Sequence, residues 1–374
     1  MDEDRIPGTL TLFLAGDVML GRGVDQILPH PCDPKIYETY ATSALDYLRL
    51  VERRHGPIQV PVPFDYVWGD GMAELSRRRP DFRLVNLETA VTRSNTAEPK
   101  GINYRMSPEN VPTLTAAQIQ ACALANNHVL DWGQQGLYDT LQSLEQAGIG
   151  AVGAGRNLSE ATLPHVRDIV DKGRVIIMAF GSQTSGIPAS WAATKDGAGI
   201  NLLPDETDRG IAGVVDGILR IKQPRDVVVV SIHWDGNWGY DIPSARRKLA
   251  HRLIEEADVD LVFGHSSHHP KAIELYRGKL ILYGCGDLIN DYEGISGHEN
   301  FRGDLSLMYF PRIAVTNGRL EALDMVTFRA RSMRLVRGDD DDARWLAGVL
   351  KRECARFGTG IVLGPDNVMH LTWD

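Results

Sequence analysis

Six short apolar runs in this chain each lead directly into residues that can hold a metal ion or move a proton. AGDVMLGR delivers Asp17, and VNLET delivers Asn86 and Glu88. ANNHVLDWG supplies Asn126, Asn127, His128 and Asp131; SIHWDGN supplies His233 and Asp235. GHSSHHP adds His265, His268 and His269, and GCGDLINDY adds Asp287. Five of the chain's 11 histidines fall in three of these places, which argues against chance scatter. The donors are oxygen and nitrogen with no thiolate, a set that suits Mn, Zn, Fe, Ca or Mg, one ion or two. The same groups can do general acid/base work: Asp131 lies three residues after His128, within reach to orient it.

Such residues act together only if the fold gathers them. Strand-like runs at Leu10–Leu14, Phe82–Asn86, Ala121–Ala125, Val175–Phe180, Val227–Ile232, Leu261–Phe263 and Leu280–Tyr283 alternate with helical patterns such as Tyr138–Ala147 and Ser244–Glu256. This alternation predicts an α/β protein with layered, mixed sheets flanked by helices. In such sheets ligands collect beyond the carboxyl ends of the strands, where the candidate donors stand. The domain is expected over 8–312, with 30–63 and 182–206 as inserted loops, the second long enough for a lid. Residues 313–374 read as a strand and helix extension packed on that domain. Within it, the aspartate run before ARWLAGVLKREC is read as a helix start in water rather than a metal site.

Composition bounds the function. Lys plus Arg is 40 against 49 Asp plus Glu, a formal charge of −9, which excludes a dedicated nucleic-acid binder. The start, MDED, is acidic where an export signal is basic, and no run approaches the roughly 18 apolar residues of a membrane span. The four cysteines are widely spaced and are expected to be buried thiols. The expectation is a soluble cytoplasmic protein without a membrane partner.

The ordered motifs LAGDVMLGR, FRLVNLETAVT, LANNHVLDWG, SIHWDGN and GHSSHHPKAIELYRGK resemble the calcineurin-like metallophosphoesterase pattern, and more closely its CapA branch, the poly-γ-glutamate capsule biosynthesis proteins. The resemblance runs from about Leu10 to Phe310. It implies the calcineurin-like fold, with Asp17 on the first metal, Glu88 beside both, Asn127 on the second, and His233, His265 and His268 as further ligands. His128 would be the acid/base group. Departures accompany it: Met19 stands where a histidine is usual, Glu88 where an aspartate is usual, Val129 follows the Asn-His pair, and the last motif is His-x-x-His. These weaken the case for a tightly held two-metal phosphatase and favour a looser, partly hydrated site, with Asp17, Asp131, Asp235 or Asp287 orienting the histidines.

Three functions compete. One is hydrolysis of a phosphoester, with His128 assisting the leaving group. Another is proton transfer at the Cα of a peptide, as in the epimerases of lasso-type ribosomal peptides that soluble CapA-like proteins resemble. The third is a non-catalytic role in polyglutamate capsule assembly, disfavoured by the lack of a membrane anchor. The surplus of His and Asp puts Cα epimerisation first. The substrate is then a peptide or small anion, held by Arg22, Lys100, Arg105 and Trp234.

Overall fold

A computed structural model describes residues 8–204 and 207–373. The acidic start, positions 205–206 of the second expected loop, and residue 374 lie outside the described residues.

The chain builds one sheet, crosses to a second, and returns. β1 (Thr9–Val18), β2 (Phe82–Leu87), β3 (Ala121–Ala123) and β4 (Gly150–Val152) lie side by side in parallel. The second sheet opens with an antiparallel pair, β5 (His165–Ile169) and β6 (Gly173–Gly181). It continues in parallel through β7 (Val227–His233) and β8 (Leu261–His265); β9 (Ile273–Tyr276) then turns back against β10 (Lys279–Leu282), which lies parallel to β8. The return begins at β11 (Asp287–Ile289), a short strand parallel to the end of β1. β12 (Leu305–Ala314) then pairs antiparallel with the first half of β1. β13 (Leu320–Arg331), β14 (Arg334–Arg337), β15 (Thr359–Leu363) and β16 (Val368–Trp373) complete the first sheet, all antiparallel.

Alternation along the strands decides what each face meets. Val227 and Val229 of β7, and Leu261 and Phe263 of β8, point inward and share a core with Phe13 and Leu84 of the first sheet. Their neighbours Val228, Val230, Ile232 and Val262 point outward, onto the helices Asp208–Leu219 and Ser244–Ala257 through Val215, Leu249 and Leu253. The helix Gly133–Gln146 buries Leu137, Leu141 and Leu144, one stripe at helical spacing, in the main core.

The two expected loops are better packed than their composition suggests. Residues 30–63 contain the helix Leu45–His55, whose Tyr47, Leu48 and Val51 gather Ile27, Ile36, Ile58 and Val62 into a small core of their own. The second segment pins Ile187, Trp191 and Ile200 into the main core, and Gly199–Ile200 pairs with Ala154–Gly155. Its described part is therefore anchored rather than a free lid. Asp339 caps the helix Asp340–Cys354 in a reciprocal box with Asp342, a device worth about 1 kcal/mol. All four cysteines are buried and unpaired. Among the described residues, no helix is long and apolar enough to cross a membrane.

Candidate metal and proton-transfer site

The inward faces of β7 and β8 end in histidine. Ser231 and His233 continue the inward set of Val227 and Val229, and His265 continues that of Leu261 and Phe263. His233 and His265 stand in register across the parallel pair, their Nδ1 atoms 2.8 Å apart. Ser231 Oγ lies 2.7 Å from His265 Nε2, and Asn127 Oδ1 lies 3.0 Å from His233 Nε2. Burial pushes His265 down to about 3 and His233 well below its ordinary value, so both rings are held neutral, the form that ligates metal.

The first sheet brings carboxylates to meet them. Asp17 Oδ1 accepts a 2.7 Å bond from Asn86 Nδ2 and lies 3.9 Å from His265 Nδ1. Its other oxygen, Oδ2, is buried with no hydrogen-bond partner among the described residues. Glu88 is buried beside it. Burial pushes Asp17 up to about 7; burial and then the charge of Asp17 push Glu88 well above the usual carboxylate range. Asn126 braces the group: its Nδ2 donates to Asn86 Oδ1 and the Leu87 carbonyl, while its Oδ1 accepts the N–H groups of His128 and Val129.

Two histidine–aspartate pairs flank these carboxylates. His128 Nδ1 is 2.6 Å from Asp131 Oδ2, and its Nε2 is 3.7 Å from Glu88 Oε1. Asp131 also accepts from the Tyr104 N–H at 2.6 Å and from Lys100 Nζ at 2.7 Å. On the other side His268 Nδ1 is 2.9 Å from Asp287 Oδ1, and Asn290 Nδ2 holds Asp287 Oδ2 at 2.9 Å. Burial holds His128 down to about 4. Against its own burial, His268 is raised by the Asp287 carboxylate.

Whether these residues suit a cation is answered by their donors. Asp17, His233 and His265 bring one ligand atom each to within 4.8 Å of one another, and so do Asp17, His268 and Asp287. The orphaned Asp17 Oδ2, the crowding of Glu88 against Asp17, and the neutral imidazoles fit a divalent ion bound by oxygen and nitrogen.

A family profile described as bacterial capsule synthesis protein PGA_cap matches residues 11–292. The chain belongs to this family. Every donor named above lies within the PGA_cap match, which ends just past Asp287. A probable polyglutamine synthesis accessory protein of Mycobacterium tuberculosis is 46% identical over 367 residues, covering 98% of this chain and 96% of that protein. The PGA biosynthesis protein CapA of Bacillus subtilis is 28% identical over 75% of this chain and 63% of its own length. Among solved structures, a phosphatase of Mycoplasma pneumoniae superposes with a TM-score of 0.47 at 12% identity, covering 87% of this chain and 95% of that one. The layered mixed sheets flanked by helices are the α/β architecture expected from the sequence.

The PGA_cap site gathers Asp17, Glu88, Asn127, His128, Asp131, His233, His265, His268 and Asp287, with Lys100 on its rim. Four expected members are engaged elsewhere. Trp234 faces outward, opposite to His233, and its indole N–H donates to the Tyr283 carbonyl at 2.9 Å inside the outer core. Asp235 orients no histidine; it accepts from Arg246 Nε at 2.7 Å, just after the strand has ended. Arg105 is spent on the Ser94 and Asp33 carbonyls and Asn95, and lies 3.9 Å over the Trp132 ring. Arg22 is buried between Glu38 and Asp291, so its charge is already matched. His269 stacks on Phe301 and accepts the Gly239 N–H, as a wall residue. Ser231 and Asn290 were missed. Ser231 stands two residues before His233, on the same face of β7, and strand period alone would have found it.

Proposed function

We propose that this protein is a metal-dependent acid/base enzyme that acts on a peptide-like, glutamate-derived chain during synthesis of that polymer. The observation that carries the chemistry is buried Asp17, common to two groups of potential ligands and with no hydrogen-bond partner on Oδ2 among the described residues. The polymer is suggested by the relatives, which are named for polyglutamine synthesis and for PGA biosynthesis.

Asp17, His233 and His265 would hold one ion, with Glu88 and Asn127 beside them, and Asp17, His268 and Asp287 offer a second place. A bound divalent cation supplies electrophilic polarisation of a substrate oxygen. The remaining work belongs to side chains. Asp131 and Asp287 each fix the Nδ1 side of a histidine, which orients the ring. Lys100 and the Tyr104 N–H hold Asp131 in turn. His128, Asp131 and Asp287 are buried and His268 is half-buried, which limits water around the protons the two histidines hold.

One observation favours a more specific reading. His128 follows a strand of the first sheet and His268 a strand of the second, so two separately oriented histidine–aspartate pairs reach one site. An acid and a base together suit inversion at Cα, which requires one of each. The test deletes the gene in its native host and measures cell-associated glutamate polymer by amino-acid analysis. Restoration by the wild-type gene but not by Asp17→Asn supports the proposal; an unchanged polymer in the deletion strain contradicts it. In parallel, purified protein is incubated in deuterated water with γ-glutamyl oligomers and, separately, with bis(p-nitrophenyl) phosphate. Deuterium at Cα identifies epimerisation, and steady nitrophenol release identifies hydrolysis.

A further inference from the structure

Two tyrosines join the two histidine–aspartate pairs. The Tyr104 ring stacks on His128, with centroids 3.9 Å apart and planes at 21°. The Tyr292 ring meets His268 edge-on, at 5.3 Å and 88°. Between the histidines the two hydroxyls touch, Oη to Oη at 2.8 Å. The Arg22 guanidinium lies behind them, 4.8 Å from the Tyr104 ring and 5.5 Å from that of Tyr292. Glu38 and Asp291 hold Arg22 there, so both rings are clamped against a fixed plane.

Counting protons exposes what this arrangement lacks. A phenol keeps its proton near neutral pH, so two hydroxyls bring two donors. Their mutual bond uses one. Among the described residues the other proton has no hydrogen-bond acceptor, and either hydroxyl can carry it, that of buried Tyr104 or that of half-buried Tyr292. A largely enclosed O–H without a protein acceptor is open to an oxygen from outside the chain.

We propose that the Tyr104–Tyr292 hydroxyl pair is a substrate-oxygen binding site, which donates its spare proton to a carbonyl or phosphoryl oxygen lying between His128 and His268. The proposal rests on the acid/base reading above. It adds the group that receives the substrate's oxygen, on which negative charge grows both in proton removal beside a carbonyl and in attack on phosphorus. Neither tyrosine offers a charge, so the pair selects for a hydrogen-bond acceptor rather than for net anionic character.

The test uses the full-length, metal-loaded protein and two probes, inorganic phosphate and γ-glutamyl-glutamate, each titrated by calorimetry. Tyr104→Phe and Tyr292→Phe remove only the hydroxyls and keep both ring contacts. Each is expected to weaken whichever probe binds by about tenfold, the scale of one hydrogen bond to a charged or polarised oxygen. The double variant should lose little more than either single one, because the pair acts as a unit. Preference for phosphate marks a phosphoryl substrate, and preference for the dipeptide marks an acyl one. Wild-type binding that both Phe variants retain within twofold overturns the proposal and leaves the acid/base reading standing. So does weakened binding that merely tracks lost metal or a lowered Tm. A wild-type protein that binds neither probe removes both.

Discussion

Asp17 and Asp287 lie directly opposite one another where β11 pairs with β1. Their support is unequal. Asp287 is held by His268 and Asn290 on its two oxygens, whereas Asp17 has Asn86 on one oxygen and, among the described residues, no hydrogen bond on the other. Two buried carboxylates in register, with Glu88 beside them, crowd acidic groups together, and burial raises Asp17 and Glu88 toward their protonated forms.

A cation there should stabilise the fold. After dialysis against chelator, returning the preferred divalent ion at a hundredfold excess over its Kd is expected to add about 2.7 kcal/mol. Differential scanning fluorimetry with Mn, Zn, Fe, Ca and Mg in turn measures it. An unchanged Tm with all five would contradict the metal assignment.

Asp17→Asn should act in opposite directions on the two forms. Metal affinity is expected to fall by at least about tenfold, read by elemental analysis after equilibrium dialysis. The metal-free variant should be more stable than the metal-free parent by on the order of 1 kcal/mol, because one of the crowded carboxylates is gone. A metal-free variant less stable than its parent would show that Asp17 serves packing rather than ion binding.

Asp131→Ala strips His128, Lys100 and the Tyr104 N–H of a shared acceptor. The expected loss is about 3 kcal/mol in urea unfolding, with Asp131→Asn falling between it and the parent. A loss under about 0.5 kcal/mol would mean that the acceptor is dispensable.

Trp234→Phe separates packing from ligand contact. It removes the bond to the Tyr283 carbonyl and some core volume, for an expected cost of about 1–2 kcal/mol. Metal content and probe binding should not change. Impaired binding without loss of stability would return Trp234 to the substrate pocket.

Acid sensitivity should include the return strands. Asp324 on β13 is held below the usual carboxylate range by Arg78, with further help from His370 and Arg312, against the opposing effect of its burial. A depressed carboxyl stabilises the fold above its unfolded value, near 4, and that contribution is lost as the pH falls through the folded value below it. The stability gap between the parent and Asp324→Asn should therefore be constant at neutral pH and close below about pH 4. A gap that persists at pH 2 would assign the effect to shape rather than charge.

The parallel strands were legible because each is an apolar run that stops at a polar residue, and burial on both faces enforces that pattern. The donors at their ends followed from position alone. Direction did not. His233 and Trp234 are neighbours in sequence, yet the pleat sends one to the site and the other to the outer core. Asp235 was read as a strand-end carboxylate orienting a histidine, but the backbone turns left-handed there, with φ at 63°. Arg22 and Arg105 looked free because their partners are remote: Asp291 comes from the far end of the matched region and Asp33 from the first insertion. Asp287 was read as following the Leu280–Tyr283 run, whereas it opens a separate strand of the first sheet, a crossover that local periodicity does not record.

That crossover also dictates an order of events. β11 reaches β1 only after the whole second sheet has been synthesised, so the ion's ligands are drawn from both ends of a long contact loop. Contacts of such wide sequence separation form late in folding. A cation bound there would tie an early strand of the first sheet to segments that follow the second.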